Sequence, residues 1–362
     1  MFEEVNHLYI HVPFCKTICS YCDFCHILYK EESVDRWLDR LEKDFDTLDS
    51  QSFKTIYIGG GTPSCLNTKQ LKRLLELVKS FSSDVLEYTI EINPETINEE
   101  KINLLKEYGI NRVSIGLQSS NDRLLKLMNR HHNFNDVKNC IENLRMAGID
   151  NISLDIIYSL PTQTMEDLKE TLNDVLDLDV PHISLYSLTI EKNTIFDKLG
   201  YASLDEEIEA DMYEYIEKTL KDNNYIHYEI ANFAKAGYES KHNLGYWNYD
   251  DYLGLSCGAV GKYDHKRYTN SSNVKDYIDG KDVTEIEELE LKEEAFENIM
   301  MSLRTIYGLD LKLFKERYGI DFVSEYKEAL AKNKDNLIIQ DNHCICLKRE
   351  ILNNILLDFM NW

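Results

Sequence analysis

Between Leu8 and Asn223 the chain repeats one pattern six times: a short β-rich apolar run, then a stretch whose apolar residues recur every three or four positions. The first unit joins Leu8–Val12 to a helical stripe at Val34, Trp37, Leu38, Leu41, Phe45 and Leu48. Further strands are expected at Thr55–Ile58, Glu87–Ile92, Arg112–Leu117, Asn151–Tyr158 and His182–Leu188. Helices are expected at Lys69–Phe81, Glu99–Tyr108, within 121–128, and at Phe134–Ala147, Met165–Leu176 and Asp205–Asn223. Such alternation implies an α/β fold with a parallel sheet covered by helices, because parallel neighbours need a crossover long enough to hold one. Six units are too few for a closed eight-stranded barrel, and periodicity leaves a partial barrel and a doubly wound sheet both open.

Directly after the first apolar run, four of the nine cysteines fall close together, at Cys15, Cys19, Cys22 and Cys25. Soft thiolates on one tight loop are the donor set of an iron–sulfur cluster or of zinc. No charged-then-apolar leader stands at the start, so the expectation is a cytoplasmic protein whose thiols stay reduced, not a disulfide pair. Structural zinc usually takes a second Cys/His pair downstream, and the next cysteine is Cys65. Spacing alone leaves the role of Cys25 open, and with it a closed four-thiolate site for electron transfer.

Both parallel-sheet architectures bind ligands at the carboxyl ends of their strands. There the sequence places Gly59-Gly60-Gly61-Thr62-Pro63, then Glu91, Gln118 and Asp155 at the ends of the third, fourth and fifth strands. Taken singly, the glycines are a tight turn and each polar residue a paired rim residue. Three polar groups at three successive strand ends are harder to dismiss, since burying them is unfavourable unless something bonds them.

The formal net charge of -24 argues against a nucleic-acid surface, which needs a basic field. No apolar run reaches the length of a membrane span, although peripheral membrane contact stays open. Residues 224–284 read as less regular, with a strand at His227–Phe233 and a glycine-punctuated run Tyr252–Lys262. From 285 to 362 the texture changes to helices at Glu290–Arg304, Leu311–Tyr318 and Phe322–Leu330, a hairpin of Leu337–Gln340 and Cys344–Leu347 about Asp341-Asn342, and a closing helix Arg349–Met360. This is a winged-helix-like composition whose acidity speaks for a lid or partner-contact module. The expected division is thus 1–223, 224–284 and 285–362.

Cys15, Cys19 and Cys22 stand as CxxxCxxC with Tyr21 before the third cysteine. Together with the GGGTP element, Gly116-Leu117-Gln118 and the Asp155 string, this resembles the radical S-adenosylmethionine superfamily. Within it, the likeness is to the oxygen-independent coproporphyrinogen III oxidase family, over nearly the whole chain. The resemblance implies a partial (β/α)6 TIM-like barrel with a smaller C-terminal domain. It implies a [4Fe–4S] cluster on the thiolates of Cys15, Cys19 and Cys22, with the fourth iron open to the amino and carboxylate groups of S-adenosylmethionine and Cys25 outside the ligand set. It further implies cofactor contacts from Tyr9, Tyr21, Gly60, Gly61, Thr62, Glu91, Gln118, Arg130 and Asp155, an electron donor, and radical cleavage of the cofactor beside a substrate.

Two features lead from the decarboxylase toward the heme chaperones of that family. Only 14 residues precede Cys15, and Lys241-His242-Asn243-Leu244-Gly245-Tyr246-Trp247 matches their HNxxYW pattern. His242 beside Tyr246 and Trp247 offers an imidazole to iron and aromatic faces to a porphyrin. The plain alternative is a histidine satisfied inside an aromatic cluster. The expected function is therefore heme binding and transfer to recipient hemoproteins. Oxidative decarboxylation of coproporphyrinogen III to protoporphyrinogen IX is the alternative, and a pure electron-transfer protein a third. The resemblance also implies a homodimer that switches with cluster binding.

Overall fold

The computed structural model describes residues 5–48 and 52–360. Six strands, β1 (His7–Val12), β2 (Thr55–Gly60), β3 (Glu87–Ile92), β4 (Arg112–Gln118), β5 (Asn151–Tyr158) and β6 (His182–Ser187), lie side by side in chain order. Every neighbouring pair is parallel. A doubly wound sheet reverses its strand order near the middle. This one never reverses, so it is an arc of barrel, and the order of pairing settles what periodicity could not.

Side chains along β1 show how the arc is built. Leu8, Ile10 and Val12 are fully buried in the main hydrophobic core, while the intervening His7, Tyr9 and His11 make polar contacts within the arc. The first helix, α1 (Glu31–Asp46), buries Val34, Trp37, Leu38, Leu41 and Phe45, the stripe read from sequence, and starts with Glu31 and Glu32 in the turn where the helix dipole favours acids. Trp37 is fully buried, and its Nε1 donates to Ser256 Oγ at 2.8 Å, so the indole ties α1 to the chain beyond the barrel. Trp37→Ala is expected to lower stability by about 3–5 kcal/mol, the usual result of truncating a large core aromatic, as read by the urea midpoint.

The arc is extended on both sides into a twelve-stranded sheet. Tyr252–Leu255 pairs parallel to β1, followed by antiparallel Val260–Tyr263, Lys266–Asn270 and Thr284–Glu288. Beyond β6 lie Asn232–Ala234 and Ile226–His227. Residues 224–284 are thus more regular than their sequence suggests. The single strand expected over His227–Phe233 is a hairpin of two short strands, because the buried Glu229 carboxyl accepts bonds from Ala231 N (3.1 Å) and Asn232 Nδ2 and turns the chain back. The glycine run is likewise two paired strands. A Cβ on Gly254 would stand 2.0 Å from Val260 O, so glycine is what lets these backbones approach. The HNxxYW stretch is a short helix, Lys241–Trp247, capped by Ser240.

A second core, from Ala295 to Phe359, belongs to the C-terminal segment. Its hairpin turns at Asp341 and Asn342, both left-handed at φ 46° and 64°, as a two-residue turn of this kind requires. Leu309–Asp310 adds a third strand to it. The closing helix is shorter than its pattern suggests, with an α-helical stretch Leu352–Leu356 between two 3-10 turns.

Candidate cofactor and ligand site

The cysteine loop is pinned at both ends and in the middle. Phe14–Cys15 pairs with Ile27–Leu28, and Tyr29 N donates to Cys15 O at 2.8 Å. Ser20 N donates to Met128 O (3.0 Å), Asn129 Nδ2 to Ile18 O (2.8 Å), and Phe196 N to Ser20 O (2.9 Å). These bonds set the loop against the residues that follow β4. Cys15, Cys19 and Cys22 are all free thiols. Thr62 Oγ1 donates to Cys15 Sγ (3.5 Å), Arg130 Nη1 to Cys19 Sγ (3.6 Å), and His26 Nδ1 lies 3.7 Å from Cys22 Sγ.

Among the described residues no three His, Cys, Asp or Glu side chains converge so as to hold a single metal ion. A cuboidal cluster takes one thiolate per iron, so its ligands stand apart. Burial pushes the Cys15 thiol up to about 11 and the Cys22 thiol up to about 12, so iron must displace protons to bind there. Cys25 is packed elsewhere: its Sγ donates to Ser272 O at 3.1 Å, and a Cβ on Gly258 would lie 2.7 Å from its own Cβ.

Around this loop the carboxyl ends of β2 to β5 converge. Glu91 accepts from Gly60 N (3.0 Å) and from the Tyr57 hydroxyl (2.9 Å). Gly60 has φ 111°, and a Cβ there would meet the His11 ring at 2.7 Å; one on Gly61 would lie 2.8 Å from Phe14 O and 3.0 Å from Cys15 Sγ. Only glycine fits such a close approach. Ser114 Oγ donates to both carboxyl oxygens of Asp155, at 2.9 and 3.0 Å. Gln118 sits at a register shift in β4 with φ 66°, a conformation that a non-glycine residue adopts at some energetic cost.

Arg130 is 8% exposed, with Nη2 donating to Gly116 O (2.6 Å) and Asn93 Oδ1 (2.8 Å). Its Nε is buried without a partner. A buried orphan donor of a cation is unfavourable by itself, and a carboxylate arriving beside the thiols would satisfy it. The glycine cradle, the free thiols and this donor fit a cluster with S-adenosylmethionine. Asn93 links the pieces, donating to Thr62 Oγ1 (3.2 Å) while accepting from Arg130. The sequence reading did not single it out, although it stands two residues after Glu91 at a strand end.

Burial, then the charge of Asp155, pushes Glu91 up to about 7. A raised carboxyl favours the protonated native state, a contribution present below the unfolded value near 4.5 and lost as pH rises through about 7. Cofactor-free wild type should therefore lose thermal stability between pH 5.5 and 8 relative to Glu91→Gln, in parallel melts of the two proteins.

Beneath these residues the HNxxYW helix closes the arc from the amino-terminal side of the strands. The buried Glu87 carboxyl accepts from Lys241 N (2.8 Å), His242 N (2.9 Å) and Ser240 Oγ (3.3 Å). His242 is 1% exposed, its Nδ1 lies 2.7 Å from Thr55 Oγ1 and its Nε2 2.8 Å from the Tyr246 hydroxyl. The imidazole that the sequence offers to iron is thus buried with both nitrogens engaged. Thr55 Oγ1 is also 2.7 Å from His7 Nδ1, His7 Nε2 is 3.5 Å from Asp250, and Asp250 is 2.5 Å from Arg317.

Between this floor and Glu91 lies a cavity of about 650 Å³. Its aromatic lining includes Tyr9, Tyr57, Tyr186, Tyr246, Tyr249 and Tyr252. Glu297, Met300 and Met301, on the C-terminal helix Leu291–Ser302, supply another wall. The size falls in the range of roughly 300–1,000 Å³ that holds cofactor-sized ligands. Tyr21, within the cysteine loop, packs against the small cluster of Leu124, Met128 and Phe196.

A model of the radical SAM superfamily matches residues 9–175, and one of the HemN C-terminal domain matches 289–350. Superfamily membership carries with it a [4Fe–4S] cluster and S-adenosylmethionine. The chain is 40% identical over 327 residues to the heme chaperone HemW of Bacillus subtilis, covering 86% of each protein. It is 38% identical over 342 residues to that of Lactococcus lactis, covering 92% of this chain and 90% of the relative. Its fold superposes on coproporphyrinogen III oxidase (HemN) from Escherichia coli, a radical SAM enzyme, with a TM-score of 0.85 over 99% of this chain and 91% of that one, at 21% identity. With such identity sustained over nearly full length, the chain belongs to the HemW family of the radical SAM superfamily.

Proposed function

We propose that this protein binds heme in the aromatic cavity and passes it to recipient hemoproteins, and that the cysteine loop and the strand ends around it would hold a cluster and S-adenosylmethionine. The observation that carries this reading is the helix bearing HNxxYW, placed as the floor of a tyrosine-lined cavity whose wall comes from the C-terminal module. Relatives sharing 38–40% of their residues with it are named heme chaperones, which supports the same reading.

In this proposal Cys15, Cys19 and Cys22 hold the cluster. Gly60, Gly61 and Thr62 receive the ammonium of the cofactor's methionine part and Arg130 its carboxylate. Glu91, Gln118 and Asp155 supply polar contacts to the rest of the molecule, with Tyr9 and Tyr21 flanking. When bound, this pair supplies one-electron redox and radical chemistry. The chain's own part is to position the two ligands and keep water out. The C-terminal module acts as the lid: Arg317 donates to Asn248 O (2.7 Å) and bonds Asp250, while Ser302 Oγ donates to Trp247 O (3.2 Å), so it grips the end of the motif helix. Recipient hemoproteins, an electron donor and a second copy of the chain are the partners that this reading takes in, and the cytosol, where thiols stay reduced, is the compartment. Among the described residues no helix is long and apolar enough to cross a membrane.

Two assays on the anaerobically reconstituted protein test it: uptake of heme with release to an apo-hemoprotein, and turnover of coproporphyrinogen III. Heme uptake and release without turnover is the expected result. Decarboxylation without heme uptake would replace this reading with the oxidase alternative.

A further inference from the structure

The histidine of the motif has no nitrogen left for iron, but the residue one helical turn further does have an oxygen. We propose that the phenolic oxygen of Tyr246 is the protein ligand to the iron of ferric heme in this cavity, with His242 as the positioning residue behind it. This rests on the heme-carrying reading above.

For His242 to reach iron it would have to leave either Thr55 or Tyr246, and its backbone N is itself held by Glu87. Tyr246 lies four residues on, on the same face of the helix, half-buried and lining the cavity. Tyrosine oxygen is a proven donor to heme iron. Of the other tyrosines around the cavity, Tyr57 donates to Glu91 (2.9 Å) and Tyr249 to Glu297 (2.5 Å), so a phenolate at either would face a carboxylate. Tyr9 pairs with His11 Nδ1 at 3.0 Å, but that imidazole sits under Gly60, in the cradle assigned to the cofactor. Tyr246 has uncharged company: His242, and the Tyr252 ring edge-on at 4.6 Å. The Met300 and Met301 thioethers on the opposite wall are softer donors, suited to reduced metal more than to ferric iron.

Lys262 and Arg267 also line the cavity, yet Asp251 and Glu297 already hold them at 2.5 and 2.7 Å. Aromatic faces and the iron–oxygen bond therefore carry the affinity more than free cations do. On ligation the phenol O–H bond breaks as the Fe–O bond forms. The proton passes to His242 Nε2 while the Nδ1 proton moves on through Thr55 to His7, whose imidazolium then faces the Asp250 carboxylate at 3.5 Å, with no change in oxidation state.

The test is a titration of the whole chain with ferric heme, followed by absorption and electron paramagnetic resonance, for wild type, Tyr246→Phe, His242→Gln and, as a tyrosine outside the cavity, the exposed Tyr238→Phe. Circular dichroism confirms that each variant is folded. Wild type and Tyr238→Phe should show the charge-transfer band of a tyrosinate bound to high-spin ferric iron. Tyr246→Phe should lose that band and bind about tenfold or more weakly. His242→Gln should keep the band at a shifted position. Wild-type band and affinity in Tyr246→Phe overturn the assignment, as does loss of the band in His242→Gln or Tyr238→Phe alone. A wild type that takes up no heme at all sinks the heme-carrying reading itself, which keeps the two failures distinct.

Discussion

Serine at Cys15, Cys19 or Cys22 is expected to abolish the [4Fe–4S] absorption of anaerobically reconstituted protein, while Cys25→Ser retains it. The reason lies in what each sulfur touches. The first three have Thr62, Arg130 and His26 as polar neighbours, their loop is fastened to Met128, Asn129 and Phe196, and none is committed to a bond that iron could not replace. A serine hydroxyl is a far harder donor and does not ionise near neutral pH, so losing one of three thiolates leaves too few soft ligands for the cube. Cys25 is turned toward Ser272 and Gly258 instead. Iron and sulfide analysis of the four variants decides the matter. A cluster lost in Cys25→Ser would mean that four thiolates saturate the metal, leaving no iron open for S-adenosylmethionine and removing the basis of the cofactor reading.

How far the sequence could be read depended on how local the cause was. The stripe of α1 and the runs of β1 to β6 follow from side-chain periodicity, and they appear where the pattern puts them. Helix starts were equally local: Asn67 with Gln70, Asn133 with Asp136, and Thr164 with Asp167 each form a capping box. Strand order was not local, and only the pairing of β1 through β6 separates an arc of barrel from a doubly wound sheet. The extension from Tyr252 to Glu288 has little alternation because its strands are half-exposed or, at Thr284–Glu288, exposed throughout, and depend on glycines such as Gly254 for contact. The hub role of Asn93 and the burial of His242 come from partners far along the chain, Arg130 and Thr55, which no spacing rule reveals. His242 was legible as a motif residue, but the engagement of both its ring nitrogens by Thr55 and Tyr246 was not.

Glu87→Ala is expected to remove the floor of the cavity and lower stability by about 3 kcal/mol or more, since it strips the acceptor from Lys241 N and from two buried donors, His242 N and Ser240 Oγ, each buried one worth about 1–3 kcal/mol when left unpaired. Glu87 is 2% exposed and reaches the first turn of the helix Lys241–Trp247 from inside the arc, doing there what a capping side chain does at an exposed helix end. This helix is only seven residues long, too short to persist without tertiary support, so its place depends on that carboxyl and on the grip of the C-terminal module at its other end. Glu87→Gln keeps an oxygen that can accept one of these bonds and should recover part of the loss. Urea unfolding followed by tryptophan fluorescence suits the measurement, because Trp247 reports on the helix itself. If Glu87→Ala unfolds within about 1 kcal/mol of wild type, the helix is held by packing alone and the carboxyl is not its anchor. If stability falls as expected and Glu87→Gln restores both stability and heme affinity, the same carboxyl fixes the fold of the floor and the direction in which Tyr246 points.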